Sequence, residues 1–445
     1  MGFRETAFAF KSSYLKRSAG ALYEELLRNQ HLTVQELESI TRTRAHAMAR
    51  FAFSETEFYR GRYREAGLTA RDLGDPGVFE TLPIIDRSTV KGNSDQFRST
   101  EATPKNTRLA LTGGSTGEPL KTVNDARVPG LALSWRMHSW WGVAPSDNVA
   151  HIGRWVGGRR DRLRADLLWW PTKLIFLEAG NLDRPSVERF LSEVNKYRPT
   201  LVEGYVGAMR EIAEFVTRSG TSFHAPKAIG VTAAPLTPSV RRQIESTLGA
   251  PVYDQYRSSE VQWMAGECRE QNGLHVFSDM RKIEIVDPSG RLLPPGEVGD
   301  IVVTDLANRV FPIIRYKLGD RGSMRMGSCP CGISLPLIDP PDGRTVDMIR
   351  LPDGTVIAGG LFAIFSARPD SVRLFQLHQN ADYSIMLRVV LGPSPSAMQE
   401  VAEVAEALRN RFKRLVPVEV VFVDALPYTK GKIKYITSDV PDPST

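Results

Sequence analysis

Cysteine is scarce in this sequence: three residues in 445, at Cys268, Cys329 and Cys331. An odd, sparse set does not describe a disulfide framework and points to a reducing compartment. Long apolar runs are missing too; none approaches the roughly 20 residues of a membrane span. The opening Met1-Gly2-Phe3-Arg4-Glu5-Thr6 lacks a signal-peptide pattern, so a cytoplasmic chain without membrane association is expected. Charge of one sign is not in large excess: 57 Lys and Arg face 51 Asp and Glu, a net +6. That surplus suits a polyphosphate substrate as well as it suits nucleic acid, and no nucleic-acid partner is expected. Repeats and low-complexity tracts are absent, and disorder is expected only after Asp439. The one basic cluster, Arg154, Arg159, Arg160, Arg162 and Arg164, reads as a solvated loop or as a dock for a phosphate-bearing acceptor.

What is present is ordinary globular material, 42% hydrophobic and 24% charged. A chain of this length exceeds one core, so a large domain and a smaller one are expected. Residues 10 to 65 alternate apolar and charged positions at helical spacing. From about Arg108, short apolar strands (Leu174–Leu177, Thr200–Glu203, Lys227–Val231) alternate with helices (Ser186–Tyr197, Ala208–Thr217), the pattern of an α/β fold with parallel strands. After Val276 the chain becomes strand-rich, with Lys282–Val286 and Gly299–Val303 separated by the turn Pro294-Pro295-Gly296. Strands Val372–Leu377 and Ser384–Val390, helix Ala397–Leu415 and strand Val418–Val423 make a last unit.

Leu111-Thr112-Gly113-Gly114-Ser115-Thr116-Gly117-Glu118-Pro119-Leu120-Lys121 carries the first chemical signal. Glycines admit an anion close to the backbone, and the Ser and Thr hydroxyls add donors for phosphate oxygens. It is not a Walker A loop, because the Gly-Lys-Ser/Thr ending is missing. Further along stand Val231-Thr232-Ala233-Ala234-Pro235-Leu236, Tyr253-Asp254-Gln255-Tyr256-Arg257-Ser258-Ser259-Glu260, Pro312-Ile313-Ile314-Arg315-Tyr316-Lys317-Leu318-Gly319-Asp320, Gly343-Arg344-Thr345-Val346-Asp347 and Pro427-Tyr428-Thr429-Lys430-Gly431-Lys432. Singly, each is weak: Tyr256 fits a core, Asp320 a turn and Lys432 a surface.

In that order the six segments resemble the adenylate-forming superfamily of acyl-CoA synthetases, adenylation domains and luciferases. Tyr197 to Tyr205, Gly273-Leu274-His275 and Cys329-Pro330-Cys331-Gly332 resemble its phenylacetate–CoA ligase family, in the branch of capsular polysaccharide biosynthesis and coenzyme F390 synthetase. The resemblance runs from about Leu109 to Tyr435. It implies an α/β fold with a large N-terminal domain over residues 1–342, which includes a helical lead-in to about residue 100 and a β-subdomain over about 276–340. A small, mobile α+β C-terminal domain over 343–445 would follow, with its hinge near Asp347. It implies ATP-dependent conversion of a small carboxylic acid to acyl-AMP with release of pyrophosphate, then transfer to coenzyme A. Thr112, Gly113, Gly114, Ser115, Thr116 and Gly117 would hold phosphates. Ala233 and Ala234 would lie along adenine, Tyr256 would stack on it, and Ser259, Asp320 and Arg344 would complete the ATP site. Glu260 would hold Mg2+ and Lys432 would drive adenylation.

Cys268, His275, Cys329 and Cys331 suit a structural, tetrahedral Zn2+, although the spacing is not a standard finger and buried small hydrophobes are the alternative. Family members often bind zinc at these positions. Six of the seven tryptophans fall between Trp135 and Trp170 and read as core packing or as the lining of a bulky acyl pocket, with His138 among them. Arg257 replaces a glycine and Val346 an acidic hinge residue, which puts phenylacetate in doubt as the acid. Two rival readings remain: transfer to an amine or a carrier protein, and a non-enzymatic zinc-stabilised binding module.

Overall fold

The computed structural model describes residues 3–15, 17–111, 120–154, 167, 169–180, 182–341, 349–357, 361–366, 368, 370–429 and 432–440. The chain forms two compact units, Met1–Ser146 with Gln255–Pro340, and Asp147–Asp254 with Pro341–Thr445.

The helical lead-in is borne out as α1 (Phe3–Leu15), α2 (Arg17–Asn29), α3 (Val34–Glu55) and α4 (Glu57–Glu65). A capping box starts α3: the Thr33 hydroxyl accepts from Glu36 N–H at 3.3 Å, and Glu36 Oε2 accepts from Thr33 N–H at 2.8 Å. Thr56 ends α3 and caps α4 with the same chemistry, and α4 then buries Phe58, Tyr59 and Tyr63. In the core of this unit Phe97 stacks on Phe311 and meets Tyr59 edge to face. After α5 (Arg87–Gly92), β1 (Thr107–Leu111) and β2 (Lys121–Asp125) pair antiparallel, with Leu111 opposite Lys121. The tryptophan-rich helix α6 (Gly130–Trp140) follows.

The expected alternation appears as β3 (Val149–Gly153), β4 (Leu174–Glu178), α7 (Arg184–Tyr197), β5 (Leu201–Tyr205), α8 (Val206–Ser219), β6 (Ala228–Thr232) and α9 (Pro238–Leu248) in the second unit, then β7 (Val252–Tyr256), whose last two residues are counted in the first. The strands are parallel in the order β4-β3-β5-β6-β7. The crossovers from β4 to β7 all advance in one direction, and right-handed connections then place their helices on one face. The core agrees: Ala150, Ile152, Val202, Ile229 and Val231 share one apolar cluster with residues of α7, α8 and α9. Local signals set the helix limits. Asp183 and Thr237 accept from N–H groups at the starts of α7 and α9, and Gly220 and Gly249 end α8 and α9 at φ 64° and 70°.

The last residues of β7 pair antiparallel with β8 (Ala265–Glu267), which pairs with β9 (Leu274–Val276). Strands β10 (Arg281–Val286), β11 (Gly299–Asp305) and β12 (Tyr316–Gly322) form an antiparallel sheet, and β13 (Leu337–Ile338) returns to β9. Arg136 of α6 and Asp279 form a fully buried pair at 2.9 Å, with Asn29 donating to the same carboxylate. Removing either partner would strand the other charge, at a cost of about 3–5 kcal/mol.

The chain ends with β14 (Ile349–Arg350), β15 (Val356–Ile357), α10 (Leu361–Ser366), β16 (Val372–Gln379), β17 (Ile385–Leu391), α11 (Ala397–Arg411), β18 (Val418–Phe422), β19 (Tyr428–Thr429), β20 (Lys432–Ile433) and β21 (Ile436–Ser438). Its sheet runs β18-β17-β16-β21 and shares the apolar cluster with α7–α9. Helix α11 stops four residues short of the expected Leu415, because Phe412 turns into the core at 0% exposure and Lys413 and Arg414 adopt φ 53° and 57°. The expected disordered tail lies, from residue 441, outside the described residues. Among the described residues no helix is long and apolar enough to cross a membrane.

Candidate active site and metal centre

Tyr256 is the last residue of β7, and its hydroxyl donates to Asp320 Oδ2 of β12 at 2.9 Å across 64 positions of sequence. The same loop turns Glu260 inward to 8% exposure, with Ser258 Oγ accepting from Val261 N–H at 2.9 Å to fix the turn. Glu260 Oε1 lies 3.4 Å from Arg87 Nη1 and 3.5 Å from Tyr316 Oη. Burial, and then the Glu260 charge, push the Tyr316 phenol well above its ordinary range, so this hydroxyl stays protonated and donates. Ser259 is half-buried beside the pair. Two of the expected nucleotide residues, Tyr256 and Asp320, and the expected Mg2+ holder Glu260 are thus held in one unit with complementary partners.

Arg315, inside the same motif, does not face a ligand. It is 2% exposed, sits at φ 47°, donates to Leu82 O at 2.6 Å and pairs with Glu284 at 3.2 Å. Burial pushes the Glu284 carboxyl up despite that guanidinium. The arginine anchors β12, and its neighbours Tyr316 and Asp320 carry the contacts to Glu260 and Tyr256.

In the second unit, Ala233 and Ala234 follow the carboxyl end of β6, and Ala233 sits at φ 74°. A left-handed alanine costs on the order of 1 kcal/mol and marks a sharp backbone turn at an edge where parallel sheets bind ligands. Lys432 opens β20, its backbone paired with Thr429; its side chain lies outside the described residues. Thr112, Gly113, Gly114, Ser115, Thr116, Gly117, Arg344 and Asp347 also lie outside them, as do Trp155 and all of the basic cluster except Arg154.

Arg257 stacks over the Trp263 ring at 4.7 Å. Trp135, Trp140 and Trp141 are buried; Trp140 Nε1 donates to Gln30 and Trp141 Nε1 to Glu267 O, each at 2.8 Å. Those contacts favour core packing for the three. His138 packs against Trp141 at 5.3 Å.

The cysteines and His275 converge. Cys268 follows β8, His275 is the middle of β9, and Cys329 and Cys331 lie in the turn before β13, which pairs with β9. Their ligand atoms all lie within 4.8 Å of one another, with Cys268 Sγ 3.6 Å from Cys329 Sγ and Cys331 Sγ 3.3 Å from His275 Nε2. Tetrahedral zinc with bonds of about 2.1–2.3 Å sets such edges at roughly 3.5–3.8 Å, whereas a disulfide needs about 2.05 Å. His275 Nδ1 is bonded to Leu335 O at 3.1 Å, which fixes the proton there and turns the Nε2 lone pair inward. Burial lowers the proton affinity of His275, as a neutral ligand requires. The donor set fits zinc and leaves no protein-side position open for chemistry.

Sequence reasoning missed Arg87 and the buried Arg136–Asp279 pair. Tyr316 lies within one of the six motifs, so a signal for it is present; nothing in the residues around Arg87 distinguishes it from any helix-starting arginine.

No protein-family model matches the chain. Among curated proteins it is similar to the phenylacetate–coenzyme A ligase of Thermus thermophilus, 26% identical over 358 residues covering 77% of this chain and 78% of the relative. The Escherichia coli K12 protein of the same name is 24% identical over 427 residues, 90% of this chain and 94% of that one. Among solved structures, a 2-hydroxyisobutyryl-CoA ligase in the postadenylation state with 2-HIB-AMP superposes with a TM-score of 0.76 at 18% identity, covering 93% of this chain and 91% of that chain. In sequence the chain is similar to phenylacetate–coenzyme A ligases, and it shares its fold with an adenylate-forming CoA ligase.

Proposed function

We propose that the protein activates a carboxylic acid with ATP and passes the acyl group to coenzyme A. A carboxylate oxygen attacks the α-phosphorus, the bond to the β-phosphate oxygen breaks, and pyrophosphate leaves. The coenzyme A thiolate then attacks the acyl carbon, a thioester forms, and AMP departs. The observation that carries this reading is the Tyr256–Asp320 contact at 2.9 Å with Glu260 buried in the same unit, which assembles residues of two separate motifs.

Attack of one anion on another makes positioning and charge stabilisation the main catalytic requirement. Asp320 would accept from the ribose hydroxyls and Tyr256 would stack on adenine, with Ala233 and Ala234 along its edge and Ser259 nearby. Thr112 to Gly117 and Arg344 would bind phosphate oxygens, and Lys432 would bring positive charge to the reacting carboxylate and α-phosphate. Glu260 would hold Mg2+, which neutralises charge on the polyphosphate. Arg87, at 3.4 Å, holds that carboxylate in place. Zinc on Cys268, His275, Cys329 and Cys331 would clamp β8, β9 and the turn before β13, with no part in the chemistry.

The segment from residue 343 would act as the mobile domain and Asp347 as its hinge. Such motion has to part α9 from β16, including the Arg242–Asp370 ion pair at 2.6 Å. Three free cysteines and the use of ATP support a cytoplasmic setting. The test is product analysis with one acid and coenzyme A, an amine or a carrier protein as acceptor. AMP and acyl-CoA in equal amounts are expected; AMP formed together with an amide instead would move the protein to the amide ligases.

A further inference from the structure

We infer that His151 and Glu203 recognise a hydrogen-bond donor, a hydroxyl or an amine N–H, on the acyl part of the acid. This rests on the acid-activation reading above and names the class of acid.

One face of the parallel sheet is apolar against α7–α9. Across the opposite face runs one row in register, Phe176, His151, Glu203, Gly230 and Tyr253, from β4 to β7. Central positions of parallel strands are normally Val, Ile or Leu, and Leu201 and Ala228 obey that on this face at 0% exposure. A histidine and a glutamate in mid-row break the rule at a desolvation cost. The side chains are 23% and 14% exposed, and His151 Nδ1 lies 3.0 Å from Glu203 Oε1.

The ring is held on three sides. Phe176 stacks on it at 5.8 Å with an interplanar angle of 25°, and Glu203 ties down Nδ1. Gly153 lies under Nε2; a Cβ at that position would collide with the ring. The imidazole therefore leans along β3 toward its carboxyl end, the edge at which parallel sheets bind ligands. A carboxylate only accepts, so the proton of a neutral imidazole sits on Nδ1 and the lone pair on Nε2. Among the described residues, Nε2 has no hydrogen-bond partner. An acceptor oriented by a carboxylate and backed by a stacked ring suits a donor on the ligand.

The experiment measures kcat/KM for acid-dependent pyrophosphate exchange with matched acids that differ only by a hydroxyl or amino group on the acyl part. Wild type is expected to prefer the donor-bearing member by at least about tenfold. His151→Phe should bring the ratio to about one by raising KM for that member, with KM for ATP unchanged. Glu203→Gln, which keeps the ring but replaces the carboxylate acceptor by a neutral amide, should lower the ratio about threefold. A wild-type ratio at or below one in every pair overturns the inference while leaving acid activation intact. So does an unchanged ratio in folded His151→Phe, and if that variant fails to fold, the wild-type ratio and Glu203→Gln decide. Exchange with no acid at all overturns the activity reading and the pair together.

Discussion

The Cys/His cluster and the proposed nucleotide residues lie on the same stretch of chain and are built in opposite ways. Cys268, His275 and Cys329 are sealed at 1%, 0% and 6% exposure, their donor atoms turned toward one another and the imidazole locked from behind by Leu335 O. Tyr256, Ser259 and Asp320 are only half-buried, and the Tyr256 hydroxyl donates to Asp320. A closed donor set holds strands together. A half-open one, with a buried carboxylate at Glu260 steadied by Arg87 and Tyr316, leaves room for a ligand.

Changes that separate these two designs should differ in kind as well as in size. The largest effect is expected for Lys432→Ala: acyl-AMP formation slowed by about 10²–10³-fold, with transfer from preformed acyl-AMP largely retained, both read by single-turnover kinetics. Normal adenylation in this variant would remove the lysine from the mechanism. Cys329→Ser should act on stability instead, losing zinc measured by elemental analysis and lowering Tm by at least about 5 °C. The folded fraction should keep its KM for ATP; a changed KM with an unchanged Tm would move the metal centre into the active site.

Tyr256→Phe sharpens the contrast further. The ring stays, the bond to Asp320 goes, and KM for ATP should rise about 5–10-fold, as expected for one hydrogen bond to a charged group. An unchanged KM would show that this contact is only structural. The smallest effect is expected far from both regions, at Asp353, where Thr355 N–H, the Thr355 hydroxyl and Lys413 hold the carboxyl down at about 2. A depressed acid stabilises the fold above its unfolded value, so this contribution is present above about pH 4 and fades as pH falls toward 2. Asp353→Asn should therefore reduce the acid sensitivity of Tm slightly, with no change at pH 7 in KM for ATP.

The same contrast explains which features are legible in the amino-acid sequence. Tyr256, Glu260 and Asp320 are recognisable as candidates because each stands in a short segment that resembles a motif of the adenylate-forming superfamily. Cys268, His275, Cys329 and Cys331 are recognisable because thiols are so rare here that any four-donor set stands out. The βα alternation can be read from apolar runs and from stops such as Gly220 and Gly249. Arg87 is illegible because its partner lies 173 residues away and no local pattern marks it. His151 and Glu203 are illegible because their meeting depends on the register of β3 against β5. Helix α11 reads too long because the helical period of Phe412 is the same whether the helix continues or turns inward.

The account stands most directly on acid-dependent exchange of labelled pyrophosphate into ATP by the purified protein with Mg2+, across a panel of carboxylic acids that includes hydroxy and amino acids. It predicts exchange that requires the acid, needs no coenzyme A and is suppressed in Lys432→Ala. Absence of exchange with every acid, or exchange that ignores the acid, would contradict it.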